Sequence, residues 1–176
     1  MNRRYFLGLA LSAVTAPAFA NVIAREKSRI LNLHHVNTGE STSIVYRIGD
    51  NYQRDALAKL NRFLRDHRND ESIRMDPTLF DLLYDLQMKI HGEDCCIQVF
   101  SGYRSPLSNA KLRMASKRVA RNSLHITGQA VDVTFEGCSN AQLCQSAISL
   151  SRGGVGYYGR GSFVHLDTGP VRTWRA

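Results

Sequence analysis

Hydrophobic and polar positions change period several times along the chain, and each change marks an element. Residues 30–33 and 43–48 are rich in β-branched side chains and partly alternate, the period-two signature of strands. Asn37-Thr38-Gly39-Glu40 lies between them with turn chemistry, so an N-terminal hairpin is expected. From 53 to 68 the period lengthens: Ala56, Leu57, Leu60, Phe63 and Leu64 recur at helical spacing, with Arg, Lys and Asp on the other face. A second helix is announced by Asp76 as cap and Pro77 at the first helical position. It carries Leu79, Leu82, Leu83, Leu86 and Ile90 until Gly92 stops it.

The second half mixes shorter elements. Residues 96–100 read as a strand, and Ser105-Pro106 opens a short helix containing Leu107, Ala110 and Met114. Residues 129–135 alternate as a strand, and Ser139 or Asn140 begins a helix that reaches about Leu150. Gly153-Gly154 ends that helix before strands at 155–158 and 163–167. No repeat or linker divides the chain, which predicts a single α+β domain over residues 21–176: a small central antiparallel sheet with flanking helices.

Composition narrows the setting. The 176 residues hold 23 Lys+Arg against 15 Asp+Glu, a formal charge of +8, which suits nucleic acid or any polyanionic surface equally well. Residues 1–20 alter this picture, with Arg3 and Arg4 preceding an apolar stretch from Phe6 to Val14 and an Ala18-Phe19-Ala20 end. That is the pattern of a cleavable export signal, and its apolar stretch falls short of the roughly 20 residues of a spanning helix. Asn2-Arg3-Arg4-Tyr5-Phe6-Leu7 resembles the twin-arginine signal, which points to a soluble periplasmic protein. Without the signal the chain keeps 156 residues and a charge of +6, and export argues against nucleic acid as partner. Cys95, Cys96, Cys138 and Cys144 permit two disulfides in three pairings, of which a Cys138–Cys144 bridge across a helix start is expected.

The reactive residue types gather late in the chain. His125 precedes Asp132 by seven residues, and His165 sits in Phe163-Val164-His165-Leu166-Asp167. Strand alternation turns Val131 and Val133 to one face and Asp132 to the other. In the same way Val164 and Leu166 oppose His165 and Asp167, so Asp132 and His165 converge if the two strands pair. Two imidazoles and a carboxylate form a catalytic zinc set with one open position, or else three satisfied polar groups on a half-exposed sheet. His34-His35 is not such a pair, because adjacent strand residues face opposite ways; both are expected at the surface or in the hairpin.

The segment from Ser123 to Asp132 fits Ser-x-His-x-x-Gly-x-Ala-x-Asp, which resembles the zinc peptidases of the D-Ala-D-Ala-peptidase and hedgehog-like group. Ser101-Gly102-Tyr103-Arg104-Ser105 is similar to that group's upstream arginine motif, and Phe163 to Pro170 to its third-ligand strand. Asn37-Thr38-Gly39-Glu40, residues 57–61 and Gly153-Gly154-Val155-Gly156-Tyr157-Tyr158 extend the likeness to the exported murein endopeptidase K subgroup. The resemblance implies one Zn²⁺ held by His125, Asp132 and His165, with Arg104 binding or polarising substrate. It further implies cleavage of peptidoglycan cross-links to meso-diaminopimelate, of either the diaminopimelate–diaminopimelate or the D-Ala type; a monomer is expected.

One departure stands out. Better-known relatives carry Glu or Asp three residues before the last ligand, where this chain has Ser162, and serine accepts no proton at neutral pH. Asp167, beside His165, is then a candidate general base, or a carboxylate that orients a ligand. A stem-peptide carboxypeptidase or dipeptidase of the same group stays open as an alternative, and the departure adds a zinc-containing wall-binding module without catalysis. The basic stretch from Lys111 to Arg121 attracts anionic wall polymer or is a solvated face; Tyr157 and Tyr158 line a cleft or pack; Trp174 is expected to pack.

Overall fold

A computed structural model of the protein describes residues 28–116, 119–159 and 162–176. The export signal expected at 1–20 lies outside these residues. The N-terminal hairpin is present and longer than its apolar pattern: Ser28–His35 (β1) pairs antiparallel with Ser41–Ile48 (β2), to which Asn51–Tyr52 (β3) adds a short edge. Arg54–Phe63 (α1) follows and stops five residues before the predicted end. There the Asp66 backbone bridges to Glu71 instead, forming a tight loop.

Pro77–Ile90 (α2) begins where the sequence placed it, with the Asp76 carboxylate accepting from Thr78 N at 2.9 Å. The other Asp76 oxygen accepts from Thr168 Oγ1 at 2.7 Å, which ties this helix start to the segment just after residue 167. Cys96–Ser101 (β4) leads to Pro106–Ala115 (α3), and Ala130–Phe135 (β5) to Asn140–Ser149 (α4), whose start is closed by a Ser139–Gln142 capping box. Gly154–Tyr158 (β6), Phe163–Asp167 (β7) and Arg172–Arg175 (β8) complete the chain.

The eight strands form one sheet in the order β3-β2-β1-β4-β5-β7-β6-β8. This corrects the small antiparallel sheet expected from sequence: the sheet is large and mixed, with β1 parallel to β4 and β6 parallel to β8. Parallel neighbours come from distant parts of the chain, so no local alternation announces them. Helices α1, α2 and α4 pack against the sheet. Val131, Val133, Val164 and Leu166 join their apolar residues in one core.

That packing fixes the register on which the site depends. Burying each of these four side chains contributes about 1.5–3 kcal/mol. A one-residue slip of β5 or β7 would exchange them for Asp132 or His165 and put a charge into the core. Between β4 and β5 the ladder skips a residue, pairing Val99 with Val133 but Ser101 with Asp132. The bulge at Phe100 re-aims the chain that carries Arg104.

One further expectation is corrected. All four cysteines are free: the Cys138 thiol donates to Ser139 O near Ile90 and His91, while α4 turns Cys144 toward Tyr157 and Arg175. His35 lies in the hairpin, one of the two placements expected for it, and is fully buried there, its ring edge-on to Phe63 and His67. His34 is half-buried and bonded to Ser41, so the adjacent histidines do diverge.

Candidate metal centre

β5 and β7 pair antiparallel with Asp132 directly opposite His165. His125 arrives from the preceding loop, where Gly128 adopts φ of +72° and turns the chain into β5. The three ligand atoms form a small triangle: His125 Nε2 to Asp132 Oδ1 is 3.2 Å, His165 Nδ1 to Asp132 Oδ1 is 2.9 Å, and the two nitrogens are 3.2 Å apart. Donors at the usual zinc distances span a tetrahedral face with edges of about 3.3–3.5 Å, so this triangle is close to the size such an ion requires. All three residues are buried, which excludes the half-exposed polar sheet that sequence left open.

The surrounding bonds set the protonation of each ring. Gly102 O accepts from His125 Nδ1 at 2.7 Å, so His125 carries its proton there and turns the Nε2 lone pair inward. Asp167 Oδ2 accepts from His165 Nε2 at 3.0 Å, which turns His165 Nδ1 inward in the same way. Burial pulls His125 down and favours its neutral, ligating form. Burial works the other way on Asp132, yet His125 and His165 hold its carboxyl well below the ordinary range. Burial also lowers His165, but Asp132 and Asp167 outweigh it and raise the ring to about 9. With Asp132 ionised at its edge, the triangle can take a cation in place of the proton shared with His165.

Asp167 itself is fully buried. Its oxygens take hydrogen bonds from His165, from Gly154 N and Gly169 N at 2.9 Å, and from both Arg172 nitrogens at 2.7 and 3.1 Å. Those donors overcome desolvation and keep it ionised. Gly154 makes this possible, because a Cβ there would lie 2.5 Å from Asp167 Oδ2.

Arg104 reaches the centre from the bulged segment. Its backbone N donates to His125 O at 3.1 Å, and the next residue, Ser105, donates through N to Asp66 Oδ2 at 2.9 Å. Asp66 is wholly buried, and bonds from Ser108, Ser105 and Arg68 hold it near 2 against the pull of burial. The buried guanidinium approaches Asp132 and Asn109 at 3.4 Å each, with Nε unpartnered. Donors are therefore in reserve beside the triangle.

His125, Asp132, His165 and Arg104 line a cleft of about 410 Å³. Ser116, Val119, Asn122 and Ser123 border it on the side of the basic stretch, and Tyr158, Phe163, Arg172 and Trp174 on the other. Sequence reading missed Arg172 and assigned Trp174 to packing, because β8 joins the sheet only through a parallel pairing. Of the two tyrosines, Tyr158 lines the cleft and Tyr157 packs on the core. Among the described residues the lining holds no carboxylate besides Asp132.

The family model described as peptidoglycan L,D-endopeptidase MepK matches residues 23–174. The chain belongs to the MepK peptidase family. It is 44% identical to peptidoglycan L,D-endopeptidase MepK of Escherichia coli strain K12, over 98% of this chain and 97% of that protein. It is 39% identical to the probable peptidoglycan L,D-endopeptidase MepK of Haemophilus influenzae, over 99% and 96%. The MepK match thus spans the hairpin, the bulged arginine loop and the whole cleft.

Proposed function

We propose that the protein is an exported zinc endopeptidase that hydrolyses peptide cross-links of peptidoglycan at meso-diaminopimelate. The observation that carries this reading is the buried His125–Asp132–His165 triangle on the floor of a cleft walled by Arg104. The two relatives described above, named as peptidoglycan L,D-endopeptidases, support the substrate class. The signal pattern in residues 1–20 supports periplasmic placement by the twin-arginine route.

His125, Asp132 and His165 would hold the ion, each through the atom that faces the triangle. When bound, the metal supplies a Lewis acid that acidifies water and polarises the scissile carbonyl. Arg104 holds a substrate carboxylate or the carbonyl oxygen with its spare donors. Asp167 takes the orienting role of the two weighed for it: five donors occupy its oxygens and it lies behind His165. Arg172 locks that carboxylate in turn.

Digestion of purified sacculi with zinc-loaded protein tests the reading. Cross-linked dimers decline and monomers accumulate if it is correct. Shortened monomers alone indicate a carboxypeptidase, and binding to sacculi without soluble product indicates a wall-binding module.

A further inference from the structure

The cleft contains one polar group that the reading above does not use. In the β6–β7 ladder Gly156 faces His165 and Tyr158 faces Phe163, so Tyr158 projects from the same face of the sheet as the ligand histidine. Trp174 pairs with Gly156 from the other side and shares that face. The absent Cβ of Gly156 allows this arrangement, since an added one would sit 2.5 Å from the indole ring.

Tyr158 is held at both ends. Its ring stacks on Phe163 with centroids 4.8 Å apart, and Phe163 leans in turn on Phe100 at 6.0 Å. Its oxygen accepts from Trp174 Nε1 at 3.2 Å. Indole only donates, so this bond leaves the phenol proton unspent. Among the described residues that proton has no acceptor. An anchored ring with its oxygen oriented and its proton free is a preorganised donor aimed into a half-buried cleft.

We propose that Tyr158 is a catalytic residue: its O–H donates, beside Arg104, to the amide oxygen on which negative charge builds during hydrolysis. The inference rests on the endopeptidase reading. Hydrolysis forms a C–O bond from water and breaks the C–N bond, and the proton from water ends on the leaving nitrogen. Tyr158 lends a hydrogen bond to the tetrahedral stage and keeps its own proton throughout. The arginines of the described lining are Arg104, whose Nε is unpartnered, and Arg172, whose guanidinium is engaged by Asp167, so the phenol supplies a donor that complements Arg104.

Steady-state kinetics of Tyr158→Phe on a purified cross-linked muropeptide dimer tests the proposal, with metal content and melting temperature measured on the same sample. The expected result is a kcat lower by about 100-fold with KM within about twofold, as for loss of one oxyanion donor. A phosphinate mimic of the tetrahedral stage should bind more weakly by a similar factor. Trp174→Phe, which frees the phenol to rotate, should lower kcat by a smaller factor. A Tyr158→Phe enzyme with unchanged kcat, with a change confined to KM, or with metal lost would overturn the assignment. Wild-type protein that leaves the dimer intact would overturn the endopeptidase reading, and this inference with it.

Discussion

Asp167 takes the His165 Nε2 proton at 3.0 Å on one side and the Arg172 guanidinium fork at 2.7 and 3.1 Å on the other. The ion pair therefore presets the ring of a proposed ligand. Asp167→Asn keeps the volume and removes the charge. It should weaken zinc affinity by about 10–100-fold while leaving kcat near normal at saturating zinc. A competition titration with a chromophoric chelator, run beside turnover, checks both numbers. Complete loss of turnover in the metal-loaded variant would restore Asp167 as the general base.

Asp66 supports Arg104 from behind. Asp66→Ala leaves Ser105 N without its buried acceptor and should cost about 1–3 kcal/mol of stability. Because the bulged segment loosens with it, KM should rise as well. Urea denaturation and Michaelis kinetics on the same preparation separate the two effects.

Gly156→Ala tests whether the floor beneath the indole must be bare. The added methyl displaces the Trp174 ring, and with it the donor to Tyr158. Turnover should fall, while far-ultraviolet circular dichroism stays unchanged. Retained turnover would mean that the aromatic wall tolerates the shift.

Stability should fall in mild acid because of His35. Burial, then the charges of His67 and Arg65, push this ring down to about 4, against about 6.5 when unfolded. Between those values the unfolded chain takes up a proton that the folded chain refuses. The contribution of His35 is thus fully present above pH of about 6.5 and is lost progressively as pH falls toward 4. The total is at most about 3 kcal/mol. Denaturant midpoints across this window should fall for wild type and fall less steeply for His35→Gln.

Removing the metal should also be visible without any substrate. Chelation removes the ion that would join His125, Asp132 and His165 across two strands and a loop, so the melting temperature should drop and recover when zinc is added back. A melt indifferent to chelator and zinc would count against a resident ion.

The parts legible in the sequence are those whose cause is local. Period two placed Asp132 and His165 on one face with valines and leucine behind them, and the ladder pairs them directly. Asp76-Pro77 announced α2 at its first residue. What escaped depends on distant partners. The run 172–175 becomes a strand only against β6, which is why Arg172 and Trp174 went unrecognised as cleft residues. His35 is buried by Phe63 at the end of α1 and by His67 in the loop after it, about thirty residues away, and Asp66 becomes an anchor only when the bulge at Phe100 delivers Ser105. The cysteines followed the same rule, since the turn of α4 decides which way Cys144 points.

Trp174 is the only tryptophan of the chain, and its ring lies 5.2 Å from that of His165, under the guanidinium of Arg172. All indole emission therefore originates within one residue of the ligand triangle. Native fluorescence becomes an optical probe placed by the fold itself: ion arrival, cleft occupancy and the rate of each can be followed on unlabelled protein.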